Sequence, residues 1–214
     1  YSLIKWFEKY VKPKLRGFAS IINYADDFIC CFQHKDEAEY FYKVLLPKRL
    51  KEVGLELAPD KTRLIAFGRF ALNNTKVGKP ETFDFLGFTH YCSKSKKGKF
   101  RVKRKTSRSK FNKKLVEFNM WCKDNRTMPI EDIMNTVKRK LIGHYNYFGI
   151  TDNYHSICKF YYRSLQILFK WLNRRSQRRS YTKEEFKKLL VEYNIPKPYI
   201  KVNIYDRIWK QFEE

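Results

Sequence analysis

Two adjacent carboxylates lie between two short apolar segments near the start of the chain. The motif is Tyr24-Ala25-Asp26-Asp27, and residues 18–22 and 28–32 around it are mostly aromatic, β-branched or small and apolar. Each segment has the length and composition of a buried strand, which predicts a β-hairpin with the Asp pair at its turn. Adjacent carboxylates repel each other, and Mg²⁺, which takes one or two carboxylates plus substrate phosphates, relieves that repulsion. The chemistry predicted is two-metal nucleotidyl transfer, and the alternative is a polar turn, in which Asp is common.

The elements around this hairpin are predicted from apolar spacing. Residues 1–12 and 35–53 have helical periodicity; Pro13 ends the first helix, Pro47 should kink or split the second, and Gly54 suits its C-terminal cap. Val53 is expected to face inward from the second helix. Residues 63–67 and 83–91 are strand candidates, and the latter turns through residues 94–98 into a further strand. Residues 68–80, which contain two Asn and a Gly, predict a loop.

Helical spacing dominates after about residue 105. Three helices are predicted, and Pro129 suits the first turn of the second. The change from strand-rich to helix-rich sequence marks a subdomain boundary and predicts the fold class α+β. The inward positions expected on the three helices are Phe111, Leu115, Phe118 and Cys122; Ile133, Val137, Leu141 and Tyr145; and Ile157, Phe160, Tyr161, Leu165, Leu168, Phe169 and Leu172.

Sequence blocks along most of the chain resemble one family in order and spacing. Tyr24-Ala25-Asp26-Asp27 resembles the catalytic motif of reverse transcriptases, and residues 6–17 resemble the helix and turn that precede it in bacterial group II intron reverse transcriptases. The segments that resemble later blocks are residues 54–62, the primer-grip-like residues 83–88, and two thumb or maturase X segments, residues 143–149 and 169–176. Asn23 departs from the pattern, in which a basic residue precedes the Tyr.

The resemblance implies an architecture of a partial polymerase palm, an antiparallel sheet with helices, followed by an all-α thumb. It divides the chain into a C-terminal part of the palm at residues 1–105, a thumb or maturase X domain at 106–180, and a C-terminal extension at 181–214. The fingers and the first palm strands, including a third catalytic carboxylate, are expected to lie upstream of this sequence. The chain alone is therefore expected to bind RNA without extending a primer.

The resemblance also implies roles for particular residues. Asp26 and Asp27 would bind two catalytic Mg²⁺ ions, with Mn²⁺ as a substitute and dNTPs as substrates. Lys61 would approach the triphosphate, although a solvated lysine is an equal alternative. The residues implied in nucleotide or primer binding are Tyr24, Ala25, Phe85, Leu86, Gly87 and Phe88. A half-buried strand is the alternative for the last four, but a glycine within a strand favours close approach by another backbone or a ligand.

Composition points to a polyanionic partner. The net charge is +24, with 46 Lys and Arg against 22 Asp and Glu, and the pI is about 9.8. Such a balance is typical of nucleic-acid binding, whereas a membrane-surface protein would concentrate its charge on one amphipathic helix. Solvated or disordered charge runs are the alternative. The basic residues expected to contact nucleic acid are Lys96, Lys97, Arg101, Lys103, Arg104, Lys105, Arg108, Lys110, Arg174, Arg175, Arg178 and Arg179.

Other residue types narrow the possibilities. The five Cys residues form no C-x-x-C pair and are odd in number, which argues against structural zinc and a disulfide framework and favours a reducing cytoplasm. The four His residues lack metal-ligand spacing, and His144 is expected to be packed and hydrogen-bonded. Tyr145, Tyr147, Tyr161 and Tyr162 could stack on bases, but their spacing favours the core. No membrane span, signal pattern or endonuclease signature is expected.

The sequence thus leaves two functional hypotheses. The first is part of a group II intron-like RNA-directed DNA polymerase that binds an intron or template RNA and an RNA/DNA duplex, and is completed by an N-terminal half of the enzyme. The second is an RNA-binding maturase module that assists intron splicing and has no polymerase activity of its own. A partner chain that supplies the third carboxylate and the fingers would favour the first.

Overall fold

A computed structural model describes residues 2–73, 80–95, 97–175 and 180–205 of the chain. It contains both helices and small antiparallel sheets, so the expected mixture of α and β structure is confirmed. The chain divides into two compact units, Tyr1–Phe67 and Gly68–Glu214. The helices are α1 (Ser2–Trp6), α2 (Lys35–Tyr40), α3 (Leu46–Glu52), α4 (Arg69–Asn73), α5 (Arg108–Asp124), α6 (Ile130–Phe148), α7 (Tyr154–Leu172) and α8 (Lys183–Glu192), and the strands are β1 (Ala19–Tyr24), β2 (Asp27–Phe32), β3 (Phe83–Phe85), β4 (Phe88–Lys94) and β5 (Phe100–Thr106).

The first unit packs helices against one face of the β1–β2 hairpin. Its core contains Phe7 and Val11 from the helical segment that follows α1, Ala19 from β1, and Phe41 from the segment between α2 and α3. Alternate strand residues share a face, so Ala19, Ile21, Phe28, Cys30 and Phe32 face this core. The hairpin is therefore held on one side by apolar packing.

The helix predicted at residues 35–53 is interrupted as expected before Pro47. Phe41–Leu45 form a π-helical turn between α2 and α3, and the Leu46 N–H donates to the Phe41 carbonyl. Pro47 has no N–H to donate, so the regular ladder is lost around it. Gly54 follows the helix with a φ of +71°, which is compatible with the predicted cap. The expectation for Val53 was wrong, because its side chain is exposed at the end of the helix.

Two sequence predictions at the end of the first unit and the start of the second were wrong. Residues 63–67 form no strand, because within the described residues β1 and β2 pair only with each other. Residues 68–80 were predicted as a loop, but Arg69–Asn73 form the short helix α4, and residues 74–79 lie outside the described part.

The second unit begins with the sheet β3–β4–β5. The predicted single strand at residues 83–91 is instead two strands, because Leu86 and Gly87 form a two-residue turn that pairs Phe85 with Phe88. Their φ values are +50° and +77°, as a tight hairpin turn with both central residues in the left-handed region requires. The predicted return through residues 94–98 is confirmed, since β5 pairs antiparallel with β4 from Phe88↔Thr106 to Lys94↔Phe100.

The three helices predicted after residue 105 are confirmed as α5, α6 and α7. Pro129 immediately precedes α6, and the Ser107 hydroxyl caps α5 by accepting from the Lys110 N–H at 3.4 Å. Their buried faces form one core with Phe186 and Leu189 of α8, a helix that the sequence analysis did not predict. No helix in the described residues has both the length and the apolar character needed to cross a membrane.

Asn153 joins the sheet to the helices. Its side chain is 0 % exposed; the Oδ1 accepts from the Thr106 N–H at 2.7 Å, and the Nδ2 donates to the Thr106 hydroxyl at 2.9 Å and to the Phe148 carbonyl at 2.8 Å. The end of β5, the end of α6 and the start of α7 are thereby fixed to one another.

Candidate functional site

The two carboxylates lie at the tip of the β1–β2 hairpin, as predicted. Tyr24 pairs with Asp27, which leaves Ala25 and Asp26 as the turn, and Ala25 has a φ of +54°. Asp26 and Asp27 are both exposed. Their oxygens are therefore accessible to a solvated cation.

The outer face of this hairpin is apolar and exposed. Ile22 is 54 % exposed and Tyr24 is 64 % exposed, and Cys31 on the neighbouring strand is exposed as well. The prediction of two buried strands was thus wrong for this face, because the helices of the unit cover only the opposite one. A two-stranded sheet is marginal alone and gains stability from a further strand or a covering element.

The donor chemistry of the tip fits a hard cation in part. Two carboxylates are the ligand types that Mg²⁺ takes from proteins, with water and substrate oxygens completing its octahedron. Within the described residues, no cluster of three His, Cys, Asp or Glu side chains that could hold a metal ion is present. Asp26 and Asp27 are the residues that would hold the ion.

Lys61 ends a 3₁₀ turn, Pro59–Lys61, in the first unit. Its N–H donates to the Ala58 carbonyl at 3.1 Å, and the Thr62 hydroxyl donates to the same carbonyl at 2.9 Å. The side chain is exposed. A role at a triphosphate stays a prediction, beside the alternative of a solvated lysine.

The primer-grip-like segment, Phe85 to Phe88, is a turn fixed to the helices of the second unit. The Leu86 carbonyl accepts from the Tyr147 hydroxyl and the Gly87 carbonyl accepts from the Ser107 N–H, each at 2.9 Å. A Cβ on Gly87 would meet Lys110 at 3.5 Å and Phe148 at 3.7 Å, which are ordinary contacts. The glycine is therefore explained by its positive φ, without the close backbone approach inferred from the sequence.

One face of the sheet is basic. Arg101, Lys103 and Lys105 alternate along β5 and so share a face, which we call the basic sheet face. Arg101 lies over the ring of Tyr205, 4.1 Å from its centroid, and Lys105 lies 5.5 Å from the centroid of Tyr91. Aromatic rings beside cations suit a strand of nucleic acid, which offers both bases and phosphates.

The other predicted basic residues do not share that face. Arg104 faces the opposite side of the sheet in register with His90, while Lys97, Arg108 and Lys110 are exposed beyond the strand or on α5. Lys96, Arg178 and Arg179 lie outside the described residues.

At the end of α7 the two described arginines differ in their surroundings. Arg174 is exposed, and its guanidinium lies 5.5 Å from the centroid of Trp171. Arg175 is half-buried and donates through Nη2 to the Met128 carbonyl at 2.6 Å. Arg174 is available to a phosphate, whereas Arg175 supports the loop before α6.

Sequence reasoning missed a groove between α5 and α7, with a volume of about 470 Å³. The described part of its lining includes three cations of α7, Lys159, Arg163 and Lys170, and the amides of Asn112 and Asn119 on α5. The spacing of the cations, at i, i+4 and i+11, could have indicated one helical face. Such a groove can bind a polyanion, and the exposed amide of Asn112 offers hydrogen bonds to bases.

Two of the four tyrosines considered for stacking belong to the core. Tyr145 and Tyr161 are buried, while Tyr147 and Tyr162 are exposed. His144 is buried as expected, but within the described residues its Nε2 has no hydrogen-bond partner, so the expectation of a hydrogen-bonded imidazole was wrong for that atom. Burial raises the pKa of the Cys30 thiol to about 12, consistent with a small apolar side chain.

No protein-family model matches this chain, and no curated protein matches it either.

Proposed function

We propose that this chain is part of an RNA-directed DNA polymerase of the group II intron type, and that Asp26 and Asp27 contribute to its catalytic centre. In this proposal residues 1–105 belong to the palm, 106–180 to the thumb or maturase X domain, and 181–214 to an extension of the thumb. The observation that carries it is an exposed pair of carboxylates at a hairpin tip in a chain of net charge +24.

Different regions of the chain have different tasks in this proposal. Asp26 and Asp27 would supply carboxylate oxygens beside the growing end of a primer. Mg²⁺ bound to them would activate the 3′-hydroxyl and offset charge on the attacked phosphate. The basic sheet face and the groove between α5 and α7 hold the phosphates of template and primer. The outer edges of the two-stranded hairpin suit pairing with an upstream palm strand, which would also bring the third carboxylate, and the exposed apolar face suits a covering element.

A metal titration tests the hairpin directly. Mn²⁺ is titrated into the chain bound to a primed RNA template and followed by electron paramagnetic resonance. Asp26→Asn combined with Asp27→Asn is expected to remove a bound-ion signal, and Asp60→Asn, another exposed carboxylate of the same unit, serves as the control. Equal Mn²⁺ binding by wild type, double variant and control would refute the assignment.

Primer extension tests the activity. The chain alone is expected to bind primed RNA and incorporate no dNTP, whereas the complete polymerase, assembled from two chains or encoded as one, is expected to extend the primer in Mg²⁺. Asp26→Ala should abolish that extension. Synthesis that survives Asp26→Ala would show that the catalytic centre lies elsewhere.

Binding by the basic sheet face is tested by salt dependence. For a single strand, each phosphate contact contributes about 0.7 to the log–log slope of affinity against salt. Replacing Arg101, Lys103 and Lys105 with Ala should lower the slope by about 2 for that reason. The charge-matched control replaces three exposed lysines of α8, Lys183, Lys187 and Lys188, and should leave the slope nearly unchanged.

The second candidate function is an RNA-binding maturase module without polymerase activity. The groove between α5 and α7 favours it, since that groove needs no contribution from the hairpin tip. If the complete protein incorporates no dNTP and Asp26→Asn with Asp27→Asn leaves metal binding unchanged, while the basic substitutions weaken RNA binding, the maturase hypothesis is preferred.

A further inference from the structure

A second cavity of the Gly68–Glu214 unit, about 400 Å³ in volume, lies beside the turn at Leu86–Gly87. Its walls come from that turn and from α5, α6 and α7. The volume is within the range of small-ligand sites, and it exceeds what a single aromatic ring requires.

Aromatic rings form one wall of this cavity. Tyr147, Phe148 and Phe160 all line it, and Tyr147 is 55 % exposed. Two contacts hold the Tyr147 ring in place. Its hydroxyl donates to the Leu86 carbonyl, and its face stacks on Phe88 with a 10° interplanar angle. A fixed, accessible ring can stack on a flat ligand at little entropic cost.

Lysines contribute positive charge to the cavity. Lys110, Lys114 and Lys140 line the cavity, and the acidic group lining it, Glu117, is paired to Lys114 with 2.8 Å between Nζ and Oε2. Lys110 and Lys140 therefore leave the cavity with a net positive charge, and the Lys140 Nζ lies 5.0 Å from the centroid of the Trp121 ring. A ligand suited to it has a flat apolar part and an anionic part.

The ring of His144 belongs to the same wall. The side chain is 8 % exposed and stacks on Phe160 with 3.7 Å between centroids, and its Nε2 lacks a partner within the described residues. Burial, with a contribution from Lys114, lowers the pKa of the imidazole to about 4, so the ring is neutral at physiological pH. His144 therefore adds an uncharged ring to the aromatic wall.

We infer that this cavity accepts one unpaired base of a single-stranded RNA, stacked on Tyr147, with the adjoining phosphate at Lys110 and Lys140. The inference deepens the proposed nucleic-acid-binding function and rests on it. Charge complementarity selects this occupant, because an uncharged apolar ligand leaves the lysines unused and a bare phosphate leaves the aromatic wall unused. Base stacking on an aromatic side chain typically strengthens binding roughly 5- to 150-fold.

Gly143 offers a way to close the cavity without disturbing the fold. It lies within α6, lines the cavity and is exposed, and a Cβ built on it meets nothing within 4 Å. Gly143→Leu should therefore place a side chain in the cavity, while Gly143→Ala leaves it open. Both substitutions raise helix propensity and neither changes the charge, which makes them a matched pair.

Two RNA probes of the same charge are compared, a uridine hexamer and a hexamer from which every base has been removed. Uridine is chosen because it stacks little on itself, and the measured quantity is the ratio of abasic to intact Kd. We expect this ratio to be at least about fivefold lower in Gly143→Leu than in Gly143→Ala, as the loss of one stacked base requires. The same ratio in both variants would overturn the inference.

The phosphate position is tested with lysines of one helix. Lys110→Ala should weaken binding of both hexamers and lower the log–log salt slope by about 0.7, the value for one phosphate on a single strand. Lys113→Ala, an exposed lysine of α5 that does not line the cavity, removes the same charge and should leave the slope unchanged. Equal losses in both variants would overturn the placement of a phosphate at this opening.

The outcomes separate this inference from the proposed function. If Gly143→Ala binds RNA in a salt-dependent way but has the same ratio of abasic to intact Kd as Gly143→Leu, the base pocket is refuted and the proposed function stands. If the wild-type chain binds neither hexamer, both the base pocket and the proposed function are refuted.

Discussion

Replacing Asn153 with Ala should destabilise the second unit strongly, because this side chain is fully buried and makes three hydrogen bonds. The Thr106 N–H loses its acceptor and the Thr106 hydroxyl loses a donor, while the Phe148 carbonyl keeps the Ile150 N–H as its one partner among the described residues. One orphaned buried donor costs about 1–3 kcal/mol, and the two further hydrogen bonds add about 0.5–1.5 kcal/mol each. The sum is about 2–6 kcal/mol, a large part of the ~5–15 kcal/mol by which domains are stable.

Urea unfolding followed by circular dichroism measures this loss. Asn153→Ala should lower the unfolding midpoint with little change in slope, as expected when stability changes and the exposed surface does not. Asn135→Ala is the control, because Asn135 is exposed on α6 and Ala has the higher helix propensity. A loss below about 1 kcal/mol, or one equal to that of the control, would refute the account, since even one orphaned donor costs that much.

Asn153→Asp adds a pH test of the same joint. Burial against the Phe148 carbonyl raises the folded-state pKa of the introduced carboxyl above the ~3.9 of an unfolded Asp. Stability from the neutral acid, which can still donate to that carbonyl, is therefore present below about pH 3.9 and lost as pH rises through the folded pKa. Asn153→Asp should exceed Asn153→Ala in stability at pH 4 and lose that advantage by pH 7; a pH-independent difference would contradict the geometry.

Further predictions concern the cavity wall and the turn. Gly87→Ala should cost about 1–2 kcal/mol in urea unfolding, because the φ of +77° is strained for a residue with a Cβ, whereas Gly143→Ala should stabilise α6 by about 0.5–1 kcal/mol. The stability that neutral His144 provides is present above about pH 6.5 and lost as pH falls through its pKa of about 4. Between pH 7 and pH 4 the wild type should therefore lose about 3 kcal/mol more than His144→Leu, and equal losses would refute the burial argument.

The hairpin could be predicted from the sequence because its two flanking segments are short, apolar and separated by a polar pair. The turn at residues 86–87 was missed for the opposite reason. Leucine rarely adopts a positive φ, as Leu86 does here. The segment from Phe85 to Phe88 therefore has the sequence pattern of a continuous strand. The pairing of Phe85 with Phe88 was settled by tertiary contacts to Tyr147 and Ser107 that no local pattern reveals.

Helix α8 was missed although its sequence carries a signal. Thr182 and Glu185 form a capping box, in which the Glu185 N–H donates to the Thr182 hydroxyl at 3.2 Å and the Thr182 N–H donates to the Glu185 carboxylate at 2.7 Å. The spacing of Thr and Glu before Phe186 is the usual mark of such a start. The cavity beside Gly87 has no comparable signal, because its residues come from a turn and three helices.

The Asp pair is the feature that separates the two hypotheses on physical grounds. A chain that only bound RNA phosphates would gain nothing from two exposed carboxylates at a hairpin tip, because each repels the phosphates that its 46 Lys and Arg attract. A divalent cation reverses this, since it converts the carboxylates into a positive site for a phosphate oxygen. RNA affinity should consequently rise with Mn²⁺ in the wild type more than in Asp26→Asn with Asp27→Asn, once ionic strength is matched. If metal-free affinity is the same in both and Mn²⁺ adds equally to each, the carboxylates form a polar turn and the maturase hypothesis stands.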